Sequence, residues 1–476
     1  MQSGPLSDTA AARAVAPQAP SLRQALPWLE PTRVANAMAA QWGEAGLIWL
    51  DGDGSDLGRW ITLAADPLEQ HCCRGLPGEA GARNPFTTLR ALAPGHWTGW
   101  LSYDAAAWSE PGNPWRSDAM ASLWIARHDP VLRFDLQERQ LWLEGNDPHR
   151  HQHMVEWLEA LDATESKTSN AQKANEGLHE QSGGQTQRPK HTTAPPFGTK
   201  WSRGSSREAY AAGVQRIREL IASGDLFQAN LTACASSHLD AHITNLQLFE
   251  RLRARCPAPF AGLVVASGDA EGEALLSTSP ERFLKVSADG LVETRPIKGT
   301  RPRAADPDQD AANAAELVCS SKDRAENVMI VDLLRNDLGR VCVPGSVSVP
   351  QLVGLESYAR VHHLTSVVTG QLQEGSTWVD LLEASWPGGS ISGAPKLRAC
   401  QRIAELEPSG RGPYCGSLLR IDWDGRFDSN ILIRTVLRKD QQLRVHAGCG
   451  IVADSDPQAE ADELDWKLLP LLEALA

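Results

Sequence analysis

The sequence predicts an α+β protein built on large antiparallel sheets, and three observations carry that expectation. Apolar residues make up 42% and charged residues 22% of 476 positions, an ordinary globular balance that excludes wholesale disorder. Strand-like and helical runs do not alternate regularly, as a doubly wound parallel sheet would require. The early apolar runs are short and split by Gly, Pro and Asp, the punctuation of strands joined by turns.

Taken in order, residues 1–25 read as a flexible N-terminal extension. They lack the apolar core of a secretory signal. They are Ala-rich with Arg13 and Arg23 and few acids, a composition that organelle transit peptides share. Residues 26–161 form an N-terminal region with β-type runs at 47–50, 99–103 and 131–136. Residues 162–200 are polar and rich in Gly, Pro and Gln, with almost nothing to bury against the entropy of ordering them, so a linker or insert is expected there. Residues 201–476 open with a helix over 206–223, where Tyr210, Val214, Ile217 and Ile221 recur at helical spacing. Strand-like runs follow at 262–267, 282–286, 417–422, 431–436 and 443–446, and helices at 322–338 and 457–468. No fixed-period repeat appears, which excludes a solenoid. The 16 tryptophans, concentrated in the first region, read as sheet and core packing.

The formal net charge of −13 argues against a nucleic-acid backbone or an anionic membrane as partner. No segment approaches the ~18 uninterrupted apolar residues of a membrane span. Nine scattered cysteines without a C-x-x-C pair exclude a disulfide framework and a zinc comb, and fit a reducing, cytoplasmic setting.

Chemistry concentrates in four places. In KDRAENVMIVDLLRNDLGR, Asp323 and Glu326 stand at i,i+3 on one helix face, with Val328, Val331 and Leu334 as the buried stripe and Gly339 as the stop. In SDPQAEADELDWK, Asp456 is an N-cap with Pro457 at the first helical position. Glu460 and Glu463 repeat the carboxylate pair there, one turn before Lys467. Two such helices can hold a hard divalent cation such as Mg²⁺, which takes one or two carboxylates and leaves room for water and an anion. Acidic helix faces also exist for solvation alone. PGGSISGAPK (387–396) has the glycines of an anion loop but not the Lys-Ser/Thr of a nucleotide P-loop. In ETRPIKGTRPR (293–303), Lys298 is either a solvated charge or, when buried, a nucleophile at neutral pH. Arg295, Arg301 and Arg303 around it suit an anionic small molecule or internal ion pairs. Finally, Arg434 in the apolar run ILIRT calls for a carboxylate partner, from the protein or from a substrate.

Jointly these segments resemble the chorismate-utilising enzymes: component I of anthranilate synthase and of aminodeoxychorismate synthase, with isochorismate and salicylate synthases. The resemblance runs through LFQANLT (226–232), SPERFL (279–284), RPIKGTRPR (295–303), KDRAENVMIVDLLRNDLGRV (322–341), HLTS (363–366), PGGSISGAPK, GPYCGS (412–417), ILIRT (431–435) and GCGIVADSDPQAEADE (448–463). It covers nearly all of 201–476 in family order, and GWLSYD (99–104) extends it into the first region. It implies a large α+β sandwich in which both regions share one intertwined body. By resemblance, Glu326 and Glu463 ligate Mg²⁺, supported by Asp323 and Glu460, and the metal clamps the ring carboxylate of chorismate. Tyr414 and Arg434 match the residues that hold the enolpyruvyl carboxylate. Ser390, Gly450, Thr300 and Lys467 match contacts around the ring carboxylate, and His363 a ring-facing histidine.

Two positions resolve the subfamily. Gln228 stands where water-adding relatives carry a lysine base, which argues against isochorismate and salicylate synthase. The turn reads PIKGT, with Lys298 where anthranilate synthases have Ala, as in component I of aminodeoxychorismate synthases. The resemblance then implies that Lys298 attacks C2 of chorismate while Glu281 protonates the departing C4 hydroxyl, and that ammonia displaces the lysine at C4. Nothing in the chain resembles a glutamine amidotransferase, so ammonia is expected from a separate glutaminase subunit. The alternatives are an anthranilate synthase component I and a non-catalytic regulatory paralogue. The latter would be expected to have lost some of Glu281, Lys298, Glu326, Arg434 and Glu463.

Overall fold

The computed structural model describes residues 19–112, 114–176, 197–358 and 361–476, with the backbone alone over 164–176. Its strands form two antiparallel sheets, of twelve and ten strands. Each sheet draws on both sequence regions. In the larger, Ile48–Asp51 pairs with Phe260–Val265, joining five N-terminal strands to the C-terminal ones that end at Gln442–Ile451, Gln228–His238 and the short Gly393–Ala394. In the smaller, His96–Leu101 pairs with Ser417–Ile421, so GWLSYD and GPYCGS meet across the seam. The expected α+β architecture of antiparallel sheets with helices packed on them is thus the one observed, and the two regions form one interwoven body. Two large apolar cores result, and Trp49, Trp97, Trp100 and Trp124 lie fully buried within them, as packing rather than as a recognition surface.

Local signals explain the elements that carry chemistry. Arg207–Ala222 is capped by Ser206, whose side chain accepts from the Ala209 amide, and it buries Tyr210, Val214 and Ile217. Ser321–Gly339 is capped by Ser320. Pro457–Ala474 begins on the predicted Asp456 cap with Pro457 first, and it runs six residues past the expected end despite Pro470.

Four expectations need correction. Residues 22–26 of the supposed extension are a strand, Leu22–Leu26, paired with Gln140–Gly145; residues 1–18 lie outside the described residues. The polar stretch does not start as a linker at 162, because the helix Pro148–Glu176 continues through it. Residues 177–196 are outside the described residues, and beyond them Phe197 N–H donates to the Ala476 carbonyl. The run 431–436 is not one strand: Phe427–Asn430 and Thr435–Lys439 belong to different sheets, and the chain crosses between them at Arg434. Val328 is 40% exposed, since Asn327 takes the buried position, donating to the Leu364 carbonyl and accepting from the Ser366 hydroxyl. Among the described residues no helix is long and apolar enough to cross a membrane.

Candidate active site

A cavity of about 430 Å³ opens where the larger sheet, the strand Ile297–Pro302 and the helices Ser321–Gly339 and Pro457–Ala474 converge. Its lining includes Glu281, Lys298, Thr300, Asp323, Glu326, His363, Ser390, Tyr414, Arg434, Gly450, Glu460, Glu463 and Lys467. Of the residues matched to the site by family resemblance, only Gln228 is absent from that lining. It lies behind Gly450, where a Cβ would come within 2.5 Å of its Nε2, and neither of its amide atoms has a hydrogen-bond partner. The same added Cβ would stand 3.4 Å from Lys298 Nζ, so glycine at 450 lets the strand pass close beneath the lysine.

Lys298 and Glu281 meet at Ser390. Lys298 Nζ donates to the Ser390 carbonyl at 3.3 Å, as does Asn230 Nδ2 at 2.6 Å. Burial pushes the Glu281 carboxyl up to about 7, against the opposing pull of Lys298, the Ser390 hydroxyl and the Ile297 backbone. Glu281 is therefore substantially protonated at neutral pH, the condition for a general acid. His363 accepts or donates at Nδ1 with the Thr300 hydroxyl at 2.8 Å, and burial together with Arg434 lowers its pKa to about 4, so the ring is neutral.

The cavity holds two chemically different ends. One carries Asp323, Glu326, Glu460 and Glu463. Lys322 pairs with Glu460 at 3.1 Å, Lys467 with Glu463 at 2.7 Å, and Arg301 with Asp323 at 3.4 Å. Among the described residues Glu326 has no ion pair this close; burial raises its carboxyl against the pull of Lys298 and Lys322, with a smaller contribution from the charges of Asp323 and Glu460. For Glu463 burial also opposes ionisation, but Lys467, Lys322 and Lys298 outweigh it and hold the carboxyl below its usual range. The tightest donor group is Cys449, Glu460 and Glu463, within 4.8 Å of one another, and Lys467 Nζ sits 3.9 Å from the Cys449 sulfur, so an ammonium already serves it. Glu326 stands outside that group. A hard cation fits the cavity's chemistry: all four carboxylates offer oxygen donors, and among the described residues Glu326 is in no ion pair.

The other end carries Arg434 and Tyr414. Arg434 has φ +50°, a strained conformation for a non-glycine residue, and its guanidinium is desolvated with no carboxylate partner among the described residues. The partner anticipated from the sequence is thus not a protein Asp or Glu. Tyr414 is buried and stacks on His446. The arginines around Lys298, by contrast, serve internal pairs: Arg295 with Glu356, Arg303 with Asp310, and Arg301 with Glu316 besides Asp323. Lys396 of the glycine-rich segment likewise pairs with Asp337 at 2.6 Å, outside the cavity lining.

Sequence reading missed Asn230, Lys322 and His446. Asn230 follows Gln228 by two on one strand face, a period-2 signal that was available. Lys322 opens the acidic helix motif itself. His446 gave no signal, because its proximity to Tyr414 is purely tertiary.

Known proteins resemble the chain over most of its length. The family described as chorismate binding enzyme matches residues 36–473. Aminodeoxychorismate synthase component 1 of Salmonella typhimurium is 44% identical over 285 residues, 60% of this chain and 61% of its own length, so the match spans somewhat under two thirds of that relative. The protein of the same name from Klebsiella aerogenes is 38% identical over 423 residues, 87% of this chain and 84% of its own. The crystal structure of anthranilate synthase component I from Streptococcus pneumoniae TIGR4 superposes with a TM-score of 0.68 at 27% identity, covering 87% of this chain and 92% of that one. With the cavity and its residues in place, the chain belongs to the chorismate binding enzyme family.

Proposed function

We propose that this chain is component I of an aminodeoxychorismate synthase, converting chorismate and ammonia to 4-amino-4-deoxychorismate and water. The observation that carries the reading is the pair of Lys298 and Glu281 in one cavity, both against Ser390, with the Glu281 carboxyl near 7. Similarity alone does not choose between amination at C4 and at C2, because relatives of both kinds resemble the chain. Lys298 favours C4.

The chemistry follows from proton placement. The reaction needs Lys298 as free amine and Glu281 as carboxylic acid, and the burial of Glu281 favours the latter. In that form the Lys298 amine attacks C2 of chorismate, the two conjugated ring double bonds shift, and the C4 hydroxyl leaves as water with the Glu281 proton. Ammonia then attacks C4, both double bonds return, Lys298 departs as an amine, and the new ammonium gives a proton back to Glu281. Arg434 and Tyr414 bind the enolpyruvyl carboxylate, where a planar guanidinium suits a planar carboxylate. His363, Thr300, Ser390 and Lys467 surround the ring and its carboxylate. Glu326 and Glu463, with Asp323 and Glu460 beside them, would hold Mg²⁺. When bound, that ion neutralises the ring carboxylate among the protein's own acids. The relatives' designation as component 1 supports a second, ammonia-supplying glutaminase subunit.

The test is to incubate the purified chain with chorismate, Mg²⁺ and ammonium, with and without an aminodeoxychorismate lyase, and to assay p-aminobenzoate and anthranilate. Lyase-dependent p-aminobenzoate is expected. Anthranilate without lyase would move the amine to C2 and overturn the reading of Lys298, and chorismate binding with neither product would point to a regulatory paralogue.

A further inference from the structure

His446 lines the same cavity as Tyr414 and Arg434, on the strand Gln442–Ile451. Its ring lies flat on that of Tyr414, with centroids 4.9 Å apart and planes 16° from parallel. The residue is 2% exposed, and its Nε2 is sealed without any hydrogen-bond partner, whereas Nδ1 is not among the sealed atoms. Burial, reinforced by Arg444 and Arg411 against the weaker opposing pull of Asp118, lowers its pKa to about 3. Arg444 is itself fixed by a two-armed contact with Asp118, 2.7 Å on each arm. The imidazole is therefore neutral, with one N–H and one lone pair. A buried N–H without a partner is rarer in proteins than an under-satisfied acceptor. The sealed Nε2 is thus the lone-pair nitrogen, and the hydrogen sits on Nδ1.

We propose that His446 is a substrate-binding residue, whose Nδ1–H donates to an anionic oxygen of the ligand held by Tyr414 and Arg434 while its ring fixes the plane of Tyr414. The inference rests on the reading of the cavity as a chorismate site. It adds a neutral donor to the arginine and the phenol there, so it strengthens binding of the carboxylate without carrying a proton in the reaction. Such an interaction is made equally in the ground and transition states, and its loss raises KM while sparing kcat.

The experiment compares the full-length wild type with His446→Phe, which keeps the stacked ring and loses the N–H, and His446→Gln, which keeps a donor and loses the ring. Chorismate affinity is measured by calorimetry, and KM and kcat with ammonium as nitrogen source. The Phe variant is expected to weaken chorismate binding and raise KM by about tenfold or more, the worth of one hydrogen bond to a charged group, with kcat and the shape of its pH profile retained. The Gln variant is expected to bind more tightly than the Phe variant. Should the Phe variant not fold, the wild-type ¹⁵N-histidine spectrum decides: chorismate should shift the protonated nitrogen of one neutral imidazole, a signal absent from the Gln variant. Wild-type affinity in the Phe variant, or a histidine spectrum indifferent to chorismate, overturns the role of His446 alone. A wild-type chain that binds no chorismate overturns the functional reading together with it.

Discussion

The two sequence regions share both sheets, yet they do different work. Residues before 150 supply eight strands, including Ile48–Asp51 and His96–Leu101 at the two seams. Among the described residues no cavity-lining residue precedes Asn230. Several polar groups of the first region hold the halves together: Arg133 reaches Asp422 at 2.8 Å, His96 reaches it at 3.0 Å, and Arg74 reaches Glu273 at 2.6 Å. In the second region several polar groups are left unsettled, including the guanidinium of Arg434 and the raised carboxyls of Glu281 and Glu326. Satisfied buried pairs mark scaffold. Unsatisfied ones, converging on a cavity, mark chemistry.

Substitutions should separate the two kinds of region cleanly. The largest effect belongs to Lys298→Ala, which should abolish lyase-dependent p-aminobenzoate formation while the thermal midpoint stays close to wild type; full activity would disprove the covalent role. Glu281→Gln should lower kcat by ~10²–10⁴-fold, the usual worth of a general acid. It should also show the opposite effect on stability. A carboxyl raised in the folded state from 4.5 to about 7 contributes no penalty below its unfolded pKa, and it costs stability as pH rises through 7. The Gln variant should therefore melt near wild type at pH 4 and be more stable at pH 8, by about 3 kcal/mol. Unfolding curves at the two pH values check this, and equal shifts at both would contradict it.

Glu326→Gln should raise the Mg²⁺ concentration needed for activity by at least ~10-fold, as measured by metal titration, since removing even a supporting group costs that much. On the scaffold side, Asp422→Asn removes one of the two carboxylate partners of Arg133, leaving Glu144, and should cost ~1–3 kcal/mol in denaturant unfolding, with kcat per folded molecule unchanged. Arg216→Ala, which breaks an exposed pair with Glu219, should change stability by less than ~1 kcal/mol and leave activity alone. A large activity loss from either scaffold change would erase the distinction between scaffold and site.

Much of the fold was legible because its signals are local. The Ser206 cap and the 3.6-residue spacing of Tyr210, Val214 and Ile217 place one helix to within a residue, and Asp456-Pro457 starts another. Where the reading failed, a partner distant in sequence had intervened. Val328 is apolar at a plausible core position, but Asn327 is buried instead, because Ser366 and the Leu364 carbonyl satisfy its amide. The apolar run around Arg434 looks like one strand, yet it changes sheets there, and that crossing is what places the guanidinium in the cavity. Leu419 and Arg420 prove to be structural: Leu419 is buried, and Arg420 lies within 4.0 Å of Asp422 and Asp428.

The sequence by itself determined the repertoire: which carboxylates stand one turn apart, which lysine sits in the PIKGT turn, and which motifs follow one another. Those properties are set by helical period, by capping and by residue type, and they need no knowledge of distant neighbours. Only the tertiary structure decided which groups become unusual. Glu281 differs from an ordinary glutamate because the fold buries it, an effect that outweighs the opposing pull of Lys298, Ser390 and Ile297, and His446 acquires a face only because Tyr414 lies against it. Desolvation and stacking are properties of an environment, and two sheets had to interlock before that environment existed.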